Sequence, residues 1–213
     1  MKNLFLGLDL DGTVYDSLQL LYDFNVKVFT ELGIKEPSVQ EFRKAFRSHG
    51  WEAMYSKLGV PREFYKTFYS KYITEYKNLP LPPIIPGAPR VLEEVFSMVP
   101  KDSIFVITSE SEEKVAEKFS RDNINGIGSM FTSQYNKLVA MKKITSQNNG
   151  IIIYIGDLIS DGEACREAGI SFGAITHEYS FNTPEQLKRY VSENTHAIEI
   201  PSLEQLPKIL KGF

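Results

Sequence analysis

Asp9 and Asp11 stand one residue apart at the end of an apolar run, in the stretch Leu4-Phe5-Leu6-Gly7-Leu8-Asp9-Leu10-Asp11-Gly12-Thr13. Side chains two apart on an extended chain lean to the same face. Two carboxylates held that close repel unless a metal ion neutralises them or one keeps its proton. Two more polar clusters follow apolar runs in the same way. Thr108-Ser109 ends the run from Ser103 to Ile107, and Gly156-Asp157, with Asp161 close behind, ends the run from Ile151 to Ile155.

The elements that must position these groups can be read from the spacing of apolar residues. Leu4, Phe5, Leu6, Leu8 and Leu10 make a run apolar enough for a strand buried on both faces, as in a parallel sheet. Gly12 then breaks the strand, because glycine permits a turn closed to other residues. From Pro89 onward the pattern predicts helix 89–98, strand 103–107, a helix that Ser111 can cap, running through Phe119, and a short strand near Met130-Phe131. Helix 137–147, strand 151–155, helix 161–168, strand 171–175, helix 184–192, strand 197–200 and a last helix after Ser202 complete it. Such alternation implies an α/β fold, a Rossmann-like doubly wound parallel sheet with helices on both faces. The carboxyl ends of its strands, where the three polar clusters lie, converge on one crevice that binds ligands.

Residues from about 16 to 79 show no strand pattern. Asp16 or Ser17 can cap a helix to about Leu32, with Gly33 as its stop. Ser38 and Glu41 form a capping box. Trp51, Met54, Tyr55 and Leu58 share one helix face, and Pro61 opens another helix with Phe64, Phe68, Tyr69, Tyr72, Ile73 and Tyr76 along it. The return stretch Leu79-Pro80-Leu81-Pro82-Pro83-Ile84-Ile85-Pro86-Gly87-Ala88-Pro89 is too rich in proline for a regular element and suits a hinge. The expected organisation is a core of residues 1–15 and 85–213 and an inserted all-helical domain of residues 16–84.

Composition narrows the function. The 213 residues carry a formal net charge of −3, with no block of like charge, which speaks against a nucleic-acid or anionic-membrane surface. The single cysteine, Cys165, cannot form an internal disulfide, and a reducing, cytoplasmic setting is expected. The apolar start is too short and too acidic for a signal peptide, and no run has the length of a membrane span.

Asp9-Leu10-Asp11-Gly12-Thr13 resembles the first motif of the haloacid dehalogenase superfamily, in its phosphatase branch. The resemblance implies that Asp9 is the nucleophile and Asp11 the general acid/base. The dehalogenases lack the second aspartate, so Asp11 argues for phosphoryl chemistry. Thr108-Ser109 resembles the second motif, in which a hydroxyl and the next backbone N–H bind phosphate. Gly156-Asp157-Leu158-Ile159-Ser160-Asp161 resembles the fourth. Asp157, Asp9 and the backbone carbonyl of Asp11 would then hold Mg²⁺, a hard cation that takes one or two carboxylates plus substrate phosphate. Asp161 and Thr13 would support that site from behind. Asp161 is also open to a reading as a helix N-cap before Gly162, and Ser109 to one as a cap for the helix that follows it.

The third motif is a lysine, for which Lys137, Lys142 and Lys143 are candidates. Lys137 starts its helix and is best placed. It is followed by leucine, where phosphoglycolate phosphatase-type members usually carry proline. The order of motifs, the helical insert and the Pro-Gly-Ala-Pro return look most like that group, with a helical cap between the first two motifs. The expectation is a Mg²⁺-dependent phosphatase of a small phosphorylated metabolite, monomer or homodimer. The alternatives are a phosphomutase of the β-phosphoglucomutase type and a non-catalytic binding protein. Within the insert, Arg43, Arg47 and His49 are the best polar candidates for reading the substrate, Arg47 and His49 lying near a Gly50 turn.

Overall fold

A computed structural model describes residues 4–46, 51–75, 78–134 and 136–213. The chain divides into two compact units, one of residues up to Asp16 and from Pro83 onward, the other of Ser17–Pro82.

The first unit is built on six parallel strands: β1 (Leu4–Leu8), β2 (Ile104–Ile107), β3 (Ser129–Phe131), β4 (Ile151–Gly156), β5 (Ser171–Ile175) and β6 (Ala197–Ile200). They lie in the order β3-β2-β1-β4-β5-β6. The strand order reverses direction at β1 and β4, which pair with Leu4 opposite Ile151 and Leu8 opposite Ile155. That reversal is where a doubly wound sheet opens a crevice at its carboxyl edge.

Alternation along each strand feeds two cores. Leu4, Leu6, Leu8, Ile104, Val106, Ile153 and Ile155 point to one face, where Val91, Leu92 and Val95 of a helix at Ala88–Met98 join them. Phe105, Ile107, Ile152, Tyr154 and Phe172 point to the other, against Ala140, Met141 and Ile144 of the helix Lys137–Gln147 and Leu187 of the helix Pro184–Glu193. Complete burial of a side chain such as Leu6 or Ile153 contributes about 1.5–3 kcal/mol, so the central strands are the least movable part of this unit. Two further helices flank the sheet, Glu112–Arg121 and Ile159–Ala168, and a short one, Leu206–Leu210, ends the chain.

In chain order the helices are α1 (Leu18–Glu31), α2 (Val39–Ala45), α3 (Trp51–Lys57), α4 (Tyr65–Glu75), α5 (Ala88–Met98), α6 (Glu112–Arg121), α7 (Lys137–Gln147), α8 (Ile159–Ala168), α9 (Pro184–Glu193) and α10 (Leu206–Leu210). Among the described residues, the second unit holds only helices, α1 to α4. Phe68 of α4 anchors it, with its ring 5.1 Å from Phe29 and 4.6 Å from Tyr55. The Ser38–Glu41 capping box is present at the start of α2. Pro61 is followed by a tight 3-10 turn, Arg62–Phe64, before α4 begins at Tyr65. No helix among the described residues is long and apolar enough to cross a membrane.

α6 is capped by Ser111, as expected, its hydroxyl accepting from the Lys114 amide, so the alternative reading of Ser109 as a cap falls away. The reading of Asp161 as a cap is corrected. α8 begins at Ile159, before Asp161, so Asp161 lies inside its first turn. The earlier start has a partner far away in sequence: the Ile159 N–H donates to Asn182 Oδ1 at 2.7 Å.

Candidate active site

Asp9 is the first residue past β1, and its N–H still donates to the Ile155 carbonyl of β4 at 2.8 Å. The ladder thus carries Asp9 to the level of Gly156, directly beside Asp157. Asp9 is buried, with Oδ1 accepting from the Leu10 amide at 2.8 Å and Oδ2 facing Lys137 Nζ at 2.6 Å. Lys137 is the first residue of α7, behind the Asn136 cap. A cation there meets the unfavourable end of the helix dipole, so its placement is explained by the carboxylates it reaches. The same Nζ lies 3.0 Å from Asp161 Oδ1. Lys142 and Lys143, a turn and more further on, are exposed.

Asp9, Asp157 and Asp161 each offer an oxygen within 4.8 Å of the others, all three side chains buried. Three carboxylates around one ammonium leave a formal charge of −2 when all are ionised. Asp157 Oδ2 accepts from the Phe181 amide, but Asp157 Oδ1 and Asp161 Oδ2 are buried without a hydrogen-bond partner. A buried acceptor left that way costs about 1–3 kcal/mol, more if charged, and a hard divalent cation with oxygen ligands would satisfy both the charge and the oxygens. Burial raises Asp9 to about 7, Lys137 pulling it back and Asp161 and Asp11 adding to the rise. Burial, then the charges of Asp9 and Asp161, hold Asp157 well above the usual carboxylate range. Burial would lower Lys137, but Asp161 and Asp9 outweigh it and raise it well above an ordinary lysine.

Two glycines make room for this packing. Gly12 has φ +72°, and a Cβ there would strike the Asp157 carboxylate. A Cβ on Gly156 would come 2.5 Å from Asp161 Oδ2. Around Gly12 the chain doubles back, with the amides of Thr13, Val14 and Tyr15 all within 3.2 Å of the Leu10 carbonyl. Thr13 is buried in this turn and its hydroxyl has no partner.

Asp11 belongs to a second cluster. Its Oδ1 lies 2.9 Å from Lys118 Nζ, which also lies 2.6 Å from Glu110 Oε2. Nζ sits 4.6 Å from the centre of the Tyr15 ring. Lys118 is fully buried. Burial would lower it, but Asp11 and Glu110 outweigh that and raise it. Burial lifts Glu110 to about 7, Asp11 adding to the rise and Lys118 opposing it.

Thr108 is the first residue past β2, two residues past the Leu8–Val106 pair, and is buried, while Ser109 is exposed. The Thr108 hydroxyl accepts from the Glu110 amide at 3.2 Å. Arg43 lies half-buried on α2, and Arg47 and His49 lie outside the described residues. The structure therefore brings together Asp9, Asp157, Asp161 and Lys137, and ties Asp11 to them along one loop. Lys118 and Glu110 are not singled out by sequence reasoning. The available signal was periodic: Lys118 is three residues after the buried Val115, on the inward face of α6.

The sequence profile of the haloacid dehalogenase-like hydrolases matches residues 8–175. No curated protein matches by sequence. Among solved structures, the chain is similar to a haloacid dehalogenase-like family hydrolase from Streptococcus pneumoniae, with a TM-score of 0.79, 22% identity and coverage of 98% of this chain and 100% of that one. It is similar to a predicted phosphoglycolate phosphatase from Haemophilus somnus (TM-score 0.73, 15% identity, 99% of each chain). It is also similar to a Thermotoga maritima protein provisionally named β-phosphoglucomutase (TM-score 0.64, 19% identity, 99% of each chain). With the profile spanning most of its length and the acidic cluster at the switch of its sheet, the chain belongs to the haloacid dehalogenase-like hydrolases.

Proposed function

We propose that the protein is a Mg²⁺-dependent phosphatase of a small phosphorylated metabolite, working through an aspartyl-phosphate on Asp9. The observation that carries this reading is the buried set of three carboxylates around the single Lys137 ammonium, with an excess charge of −2 when all are ionised and two partnerless oxygens. A site that binds only a neutral molecule has no use for such an excess. Phosphoryl transfer does, because positioning and neutralising charge is most of its catalysis.

Asp9 attacks phosphorus, forming a bond to the phosphoryl group as the bond to the ester oxygen breaks. Asp11 gives its proton to the leaving alcohol, then takes one from the water that hydrolyses the intermediate. Lys137 holds the Asp9 carboxylate and balances charge there. Thr108 and Ser109 would bind phosphoryl oxygens through hydroxyl and amide. Thr13, with its partnerless hydroxyl, and Asp161, through its contact with Lys137, support the site. Asp9, Asp157 and the Asp11 carbonyl would hold Mg²⁺, which neutralises phosphoryl charge when bound. In this reading the helical residues 16–84 form a cap that selects the leaving group, with Arg47, His49 and Arg43 as its polar candidates. Arg47→Ala should then lower kcat/KM on the physiological substrate far more than on p-nitrophenyl phosphate, and equal losses on both would refute that role.

The test of the whole reading is phosphate release from a panel of sugar phosphates, nucleotides, phosphoglycolate and pyrophosphate, with Mg²⁺ and with chelator. Release that needs Mg²⁺ supports it. Full activity in chelator, or phosphate returned to a second hydroxyl of the substrate, would overturn it.

A further inference from the structure

α6 presents a lysine where its own pattern calls for an apolar residue. Val115 and Lys118 are the buried residues of this helix, and the rest of it is largely polar and exposed. An isolated buried ammonium costs several kcal/mol, and even a paired one is often matched in stability by apolar side chains of similar size. Packing alone therefore does not account for Lys118. A simple tether between α6 and the loop after β1 would need one carboxylate. Lys118 has two, Asp11 and Glu110, and an aromatic ring over the ammonium.

These contacts come from three places in the chain. Glu110 holds Nζ from the connection between β2 and α6, Tyr15 covers it from the loop beyond Gly12, and the helix backbone fixes its stem. What Nζ then holds is Asp11 Oδ1. The flexible four-carbon stem of a lysine, anchored in this way, becomes a fixed point. We infer that Lys118, itself held by Glu110, is the positioning residue for Asp11 in both proton transfers. The inference rests on the phosphatase reading above, since it gives Asp11 the acid–base role. A misplacement of about 1 Å in a reacting group can cost on the order of 10²-fold in rate, so a carboxyl on a loop gains from such an anchor.

The test uses leaving groups. An alkoxide needs a proton as it departs, whereas p-nitrophenolate does not. In Lys118→Met the rate of phosphoryl transfer from an alkyl phosphate should fall about 10²-fold, while the pre-steady-state burst of p-nitrophenol from p-nitrophenyl phosphate keeps its rate. In an Asp11→Asn background, Lys118→Met should cause no further loss on the alkyl ester, because it acts only through Asp11. An equal loss with and without Asp11, or a burst slowed as much as the alkyl reaction, would overturn the inference in favour of a purely structural role or a direct phosphate contact. If Lys118→Met fails to fold, Glu110→Gln/Lys118→Met removes the stranded carboxylate and the same two comparisons decide. Asp11→Asn alone separates the two levels. If it slows both esters equally, the acid–base reading of Asp11 falls. If it discriminates between them and Lys118→Met does not, only the positioning role falls.

Discussion

Among the described residues, the buried lysines Lys137 and Lys118 each centre a cluster of carboxylates that includes one aspartate of the Asp9–Asp11 stretch, and the two clusters are built to different balances. Lys137 serves Asp9 and Asp161, with Asp157 beside them, and two oxygens of that cluster have no partner. Lys118 serves Asp11 and Glu110, and each of those carboxylates gives an oxygen to the ammonium. The first cluster is a strained arrangement that an added cation would relieve. The second is closed on itself and reads as a fixture. Asp9 and Asp11, two residues apart past one strand end, thereby lie in different surroundings: Asp9, the nucleophile of the proposed reaction, among other carboxylates, and Asp11 against a lysine that a second carboxylate also holds.

The comparison can be broken most severely at Asp9. Asp9→Asn should abolish turnover, a loss on the order of 10⁴–10⁶-fold as for other nucleophiles, with the fold retained by circular dichroism. Measurable wild-type-like rates would end the covalent account. Next in size is the contrast in stability. Lys118→Met strands Glu110 and Asp11 and should cost about 3–5 kcal/mol in denaturant unfolding, as breaking a buried pair does.

Asp157→Asn should act differently. In metal-free protein burial and the charges of Asp9 and Asp161 already favour the protonated Asp157 carboxyl, so the carboxamide should leave Tm unchanged or raise it, by about 2–4 °C for each kcal/mol of any repulsion relieved. The same variant should lose the rise in Tm that Mg²⁺ gives the wild type. A fall in metal-free Tm, or an undiminished Mg²⁺ effect, would mean that the excess charge has been misread.

The smallest effect is in pH dependence. Glu110 stands at about 7 in the folded chain against an ordinary 4.5, raised first by burial and then by Asp11. Between those values the folded state binds more protons than the unfolded state, so the contribution of Glu110 to stability falls as pH rises through this range. Glu110→Gln should therefore flatten the decline of Tm between pH 5 and about 7 relative to wild type. An unchanged slope would show that Glu110 stays ionised there.

The unequal legibility of the two clusters has a physical cause. β1 and β4 are apolar runs with abrupt polar ends, and adjacency of their ends follows from a parallel sheet, so Asp9 and Asp157 could be placed from residue types alone. Lys137 was legible as the first residue of a helix. Lys118 was not, because a lysine on a helix is ordinarily solvated and only the tertiary position of Asp11 and Glu110 turns it inward. Asp161 read equally well as a cap, since the side chain that meets the first amide of α8 is Asn182, from a loop after β5 that local sequence does not reveal. The cap of α6 was legible, because Ser111 stands directly before the helical pattern and its hydroxyl takes the Lys114 amide three residues on.

The central claim is that the Asp9 carboxylate takes the phosphoryl group. It is tested most directly by quenching the enzyme in acid during turnover of p-nitrophenyl phosphate, reducing with borohydride and sequencing the peptides by mass spectrometry. An acyl phosphate is reduced to an alcohol, so the account predicts homoserine at position 9, absent without substrate and absent in Asp9→Asn. Sustained turnover with position 9 unreduced, or reduction at Asp11, Asp157 or Asp161 instead, would contradict it.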